Sequence, residues 1–116
     1  MRCILFTLLA LGLTAQDQTD LDKALSSSRR RIDNIDDQIV KLLNERATIV
    51  RKVGLAKLRF HAPATAPGRN EQVLRRVSER ARPPLGPESV RRIYETIIAE
   101  MTAMEKQEME KPPRDK

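Results

Sequence analysis

The chain has 116 residues, 40% hydrophobic and 33% charged with only 3% aromatic, which fits one small helix-rich domain and argues against a β fold. Its formal charge of +6, from 22 Lys and Arg against 16 Asp and Glu, suits an anionic partner: nucleic acid, a membrane surface or a metabolite. Cys3 is the single cysteine and His61 the single histidine, which excludes an intrachain disulfide, a His-cluster metal centre and a credible Ser-His-Asp triad.

Residues 1–15 read as a secretory signal. Arg2 gives a short positive start, residues 3–13 are an apolar run, and Ala15 is a small residue before polar Gln16-Asp17-Gln18. That run is too short for a spanning helix, which needs about 20 residues. The expectation is an exported protein, periplasmic or secreted, whose mature chain starts near Gln16.

Thr19 or Asp20 is a candidate helix cap, and Ser26-Ser27-Ser28 a second possible start. From about residue 25 to residue 60 the pattern predicts one long amphipathic helix. Ile32, Ile35, Ile39, Leu42, Leu43, Ile49, Val50 and Val53 fall on one stripe at about 100° per residue. No proline interrupts it, and Gly54 is its one weak helix former. At about 1.5 Å per residue such a helix is roughly 50 to 60 Å long. A compact chain of about 100 residues has a radius of gyration near 13 Å. The helix therefore outreaches what its own chain can cover, and a second copy is the simplest partner.

Residues 61–68 form a break, with Pro63 and Pro67 as helix stops. A short second helix is predicted over residues 69–80, with Val73, Leu74 and Val77 on one face. Residues 82–87 end it, and Pro87 and Glu88 suit the first turn of a third helix. That helix runs to about residue 109 with Val90, Ile93, Tyr94, Ile97, Ile98, Met101 and Met104 as its stripe. The tail, residues 111–116, has two prolines and four charges and is expected to fray. The reading is all-α: a three-helix domain over residues 16–110.

Two cations stand inside the apolar stripe. Arg46 and Lys57 are eleven residues apart, so they project within about 20° of each other. A buried cation is costly unless an anion meets it. Either an internal carboxylate pairs with them, or this face binds an acidic ligand. Arg29, Arg30 and Arg31 precede the stripe, and Arg69 opens the second helix; each could equally be a solvated surface charge. Glu105 lies at the end of the third stripe and could be a surface-edge partner for a lysine. A phosphate track through Arg75, Arg76, Arg80, Arg91 and Arg92 is the nucleic-acid alternative, but the chain lacks interleaved aromatics for stacking. Acidic Asp33, Asp36, Asp37 and Glu45 argue against a membrane-surface helix.

The run Arg29-x-x-Ile32-Asp33-x-Ile35-Asp36-x-Gln38-Ile39-Val40-x-Leu42-Leu43-x-Glu45-Arg46 resembles the opening helix of the all-helical chorismate mutases. The likeness continues through Val53-Gly54-x-Ala56-Lys57, Pro67-Gly68-Arg69-x-x-x-Val73-Leu74 and Ile97-Ile98, covering residues 25 to 107. The resemblance implies an intertwined homodimer of three-helix protomers that converts chorismate to prephenate with no metal and no cofactor. It implies that Arg46 and the partner chain's Arg29 hold the two substrate carboxylates. Lys57 would meet one carboxylate and the ether oxygen, and Arg69 would add positive charge over the ring. Asn70, Met101 and Glu105 fall at further substrate positions, so the implied catalytic set is Lys57, Glu105 and Arg46. Three departures stand out: Asn70 where Glu is usual, Ala66 where an acidic residue often contributes, and Met101 where a small polar residue can stand. Glu105 replaces a frequent Gln. Ionised, it would oppose charge growing on the ether oxygen; protonated, it could donate a hydrogen bond. Two other readings stay open: an isochorismate pyruvate lyase of the same fold, and a non-enzymatic basic helical module.

Overall fold

The computed structural model describes residues 12–112. Three helices account for the regular structure among them: α1 Ala15–Arg59, α2 Pro67–Glu79 and α3 Pro87–Glu110. The all-α expectation holds. The apolar run read as a signal falls largely outside the described residues, as does most of the tail. Among the described residues no helix is long and apolar enough to cross a membrane.

Helix α1 starts ten residues before the predicted stretch, and neither Thr19, Asp20 nor the serine run begins it. Thr14 does. The Asp17 N–H donates to Thr14 Oγ1 at 3.1 Å, while Thr14 Oγ1 and N donate back to Asp17 Oδ2 at 2.8 and 3.4 Å. This reciprocal pair satisfies amides that the first turn leaves without helical partners. The other end closes in a left-handed turn. His61 has φ 55°, its N–H donates to the Leu58 carbonyl at 3.2 Å, and the Ala62 N–H donates to the Lys57 carbonyl at 2.8 Å. The two bonds form a Schellman cap with histidine where glycine is usual. The turn folds the following loop back toward Lys57.

Helix α2 begins at Pro67, two residues earlier than expected. Proline is at the first helical position, where its missing N–H costs nothing and its fixed φ suits the helix. Pro67 is thus a helix start, not part of the break. Pro87 opens α3 in the same way, as predicted.

The chain divides into two units, Met1–Lys41 and Leu42–Lys116. In the first, the described residues are almost wholly the early part of α1, and Ile32, Ile35 and Ile39 stand about half exposed. In the second, α2 packs on α3, and the buried apolar residues are Val73, Leu74, Val77 and Met101. Arg91 of α3 clasps Glu71 of α2 with Nη1–Oε1 3.2 Å and Nη2–Oε2 3.0 Å, and Nε reaches Glu95 at 3.1 Å. Leu42, Ile49 and Val53 of α1 keep 45–61% of their surface exposed. The apolar stripe of α1 is therefore real but only partly covered by the chain's own helices.

Candidate active site

A cavity of about 270 Å³ lies in the second unit. Helix α1 contributes Arg46, Ile49, Val50, Val53 and Lys57, at steps that place them on one face. The start of α2 contributes Arg69, Asn70 and Val73, and α3 contributes Ile98, Met101, Thr102 and Glu105. Ala64 and Ala66, from the loop joining α1 to α2, complete the wall. The apolar residues lower the local dielectric, which strengthens any charge contact made inside.

The two cations of the stripe have different partners. Lys57 Nζ lies 2.6 Å from Glu105 Oε1 and donates to the Ala64 carbonyl at 2.8 Å. The Lys57 side chain is 19% exposed and that of Glu105 7%, so this is a largely desolvated ion pair. Glu105 is not at a surface edge. Burial beside Ile98 and Met101 would be costly for a lone carboxylate, and the ammonium offsets that cost. Arg46 is half-buried, and its Nη1 meets Met101 Sδ at 2.7 Å. A thioether is a weak acceptor. Among the described residues no carboxylate lies in ion-pair range of Arg46, whose guanidinium fork keeps donor capacity for an acidic ligand.

Arg69 is exposed at the cavity wall, with Nη1 2.7 Å from Gln72 Oε1. Asn70 is half-buried and Met101 buried, both lining the same space. Six of the seven site residues expected from sequence thus surround one cavity. Arg29 does not: it is exposed on α1 in the first unit and is absent from the lining. Three lining cations against the single carboxylate of Glu105 leave an excess of two positive charges, which matches a dianion. Among the described residues no cluster could hold a metal ion. Arg91, one of the arginines of the phosphate-track alternative, is already engaged by Glu71 and Glu95.

Sequence reasoning missed the Ala64 carbonyl, because a backbone oxygen brought in by a turn leaves no residue-type signal. It also missed Thr102. Gly54 reads in sequence as a weak helix former within the Val53-Gly54-x-Ala56-Lys57 run, and its close approach to α3 carries no signal beyond that.

Three helices enclosing a cationic, partly apolar cavity define an all-helical protein with a pocket of net positive charge. Comparison with known proteins carries this further. Residues 28–106 match the family described as chorismate mutase type II. The chain is 36% identical over 86 residues to the bifunctional chorismate mutase/prephenate dehydratase of Neisseria gonorrhoeae, covering 74% of this chain and 23% of that protein. It is 30% identical over 86 residues to the protein of the same description from Aquifex aeolicus, covering 71% and 24%. The chain thus spans about a quarter of the length of these relatives. Its fold is similar to that of the form II chorismate mutase of Thermus thermophilus, with a TM-score of 0.70 at 22% identity over 80% of this chain and 99% of that one. The chain belongs to the chorismate mutase type II family.

Proposed function

We propose that this protein is a chorismate mutase, rearranging chorismate to prephenate. The carrying observation is the cavity that joins Arg46, Lys57 and Arg69 with only one carboxylate. The reaction is a cyclic shift of electrons within one molecule. The ether carbon–oxygen bond breaks as a new carbon–carbon bond forms, and no proton, nucleophile or electron carrier enters the balance. Catalysis then reduces to holding the folded conformer and stabilising charge.

Arg46 takes one substrate carboxylate through its planar fork, releasing the weak Met101 contact. Lys57 spends two of its three donors on Glu105 and Ala64 and keeps the third for the ether oxygen. That oxygen gains negative charge as its bond to carbon breaks, so a fixed ammonium favours the transition state over the substrate. Arg69 adds positive potential, and the Asn70 amide is a neutral partner for the ring hydroxyl.

The working unit we propose is a homodimer. The half-exposed apolar stripe of α1 supports it, since residues such as Ile35, Ile39, Leu42 and Ile49 are 49–61% exposed in the single chain and a second α1 is of matching length and pattern. Arg29 of each chain would then complete the site of the other. The apolar run at residues 3–13 supports export of the protein. The amino-terminal sequence of protein recovered outside the cytoplasm tests that part.

The deciding experiment is incubation of the purified protein with chorismate and, separately, with isochorismate. Prephenate from the first establishes the mutase. Salicylate with pyruvate from the second, and no prephenate, replaces it with a lyase. Turnover of neither, with salt-sensitive nucleic-acid binding, returns the chain to a basic binding module.

A further inference from the structure

Gly54 is the only buried residue of α1. A Cβ built on it would stand 2.9 Å from Glu105 Cγ, 3.5 Å from Met109 Cγ and 3.7 Å from Glu105 Cδ. The first distance is closer than side-chain carbons come; the second is ordinary contact. At Gly12, Gly68 and Gly86 a Cβ would meet nothing within 4 Å, so only at residue 54 does packing demand glycine. Inside a helix glycine is disfavoured relative to alanine, and here the missing side chain leaves room for one particular neighbour.

That neighbour has little freedom. Glu105 Cγ is in the middle of its side chain, which is 7% exposed and held at its tip by Lys57. Lys57 follows Gly54 by three residues, so the two share a face of α1 one turn apart. The Glu105 methylenes cross the bare backbone at Gly54, and the carboxylate arrives beside Lys57 Nζ. We infer that Gly54 is a positioning residue: by lacking a Cβ it sets the path of the Glu105 side chain and so aims its carboxylate at Lys57. The inference rests on the mutase reading for its catalytic consequence, but the geometric claim stands without it.

The test is a double-mutant cycle on the full chain with Gly54→Ala, Glu105→Ala and both together. Glu105→Ala removes the Cγ that a Cβ at residue 54 would strike. Gly54→Ala alone should lower kcat about tenfold or more, with a smaller change in KM, because a small misplacement at the reacting centre is costly. In the Glu105→Ala background the same change should move kcat by less than about twofold. Denaturation gives an independent readout. Gly54→Ala should lower the unfolding midpoint when Glu105 is present and raise it when Glu105 is absent, because only the helix-propensity gain then remains. If Gly54→Ala fails to fold and the double variant folds, the coupling is established. Equal effects in both backgrounds, no effect in the wild-type background, or a double variant that also fails to fold would each overturn the inference. If no variant and no wild type turns over chorismate, the mutase reading fails, and the sign of the midpoint change still decides the role of Gly54.

Discussion

Lys57 Nζ and Glu105 Oε1 lie 2.6 Å apart although 48 residues separate them in sequence. The contact makes Lys57 a paired cation, while Arg46, eleven residues earlier on the same face, meets only a thioether among the described residues. Two like charges in one apolar stripe thus have opposite standing, and their removal should have opposite structural consequences.

Arg46→Ala should leave the fold intact. It deletes a half-buried cation without stranding a carboxylate, so the unfolding midpoint should hold or rise. The loss should appear in catalysis, where a charge-assisted bidentate contact worth about 3 kcal/mol lowers kcat/KM roughly 100-fold. Steady-state kinetics beside urea denaturation separates the two. Unfolding with unchanged turnover per folded molecule would mean that Arg46 is a structural residue.

Lys57→Ala should cost both stability and rate. It leaves Glu105 buried without its cation, a change that costs about 3 kcal/mol in comparable pairs. Lys57→Ala/Glu105→Ala should recover most of that stability and none of the turnover. The kinetic signature is a fall in kcat larger than the rise in KM, since the ether contact strengthens only as charge develops. A pure KM effect would remove Lys57 from the reacting centre.

Glu105→Gln keeps the side chain's length, and its amide oxygen can still accept from Lys57. The amide also offers a donor in place of a negative charge. Turnover at neutral pH should match or exceed that of the wild type, since the amide puts no negative charge beside the ether oxygen. A clear fall in turnover with Glu105→Gln would show that the negative charge of Glu105 is required beside Lys57.

Mixing Arg29→Ala with Arg46→Ala protein tests the shared site. In the proposed homodimer, each variant alone lacks one arginine per site. In a mixed dimer one site loses both and the other keeps both, so partial activity should return after subunit exchange. No recovery, with exchange verified by mass, would mean that Arg29 acts within its own chain or not at all.

The clasp between Glu71 and Arg91 makes a pH forecast. The Arg91 hydrogen bond holds the Glu71 carboxyl below its ordinary value of 4.5; desolvation opposes it, and the nearby charges of Arg91 and Arg75 add to the lowering. A carboxyl depressed in the folded state adds stability above its unfolded pKa and loses it as pH falls through the folded value. The difference in unfolding midpoint between wild type and Glu71→Gln should therefore be present at pH 6 and fade below about pH 4. Both groups face solvent, so salt should shrink it. A gap that persists at pH 3 would rule out the ion pair as its source.

Local order was legible in the residues themselves. The 3.6-residue recurrence from Ile32 to Val53 specified α1, Pro87 and Glu88 specified the start of α3, and the spacing of Arg46 and Lys57 placed both on one face, because helical geometry depends only on neighbours along the chain. The start of α1 at Thr14 was legible too, through the Thr14-x-x-Asp17 pair, but lay beside an apolar run read as a signal. What the three-dimensional arrangement decided was which carboxylate meets which cation. Glu105 could have been a surface charge; only the packing of α3 on the Gly54 side of α1 buries it and brings it to Lys57. The Ala64 carbonyl reaches the same ammonium because His61 adopts a left-handed turn, a conformation histidine permits but does not announce. Burial and partner choice are set by chain segments distant in sequence, and no periodicity within one helix carries that information.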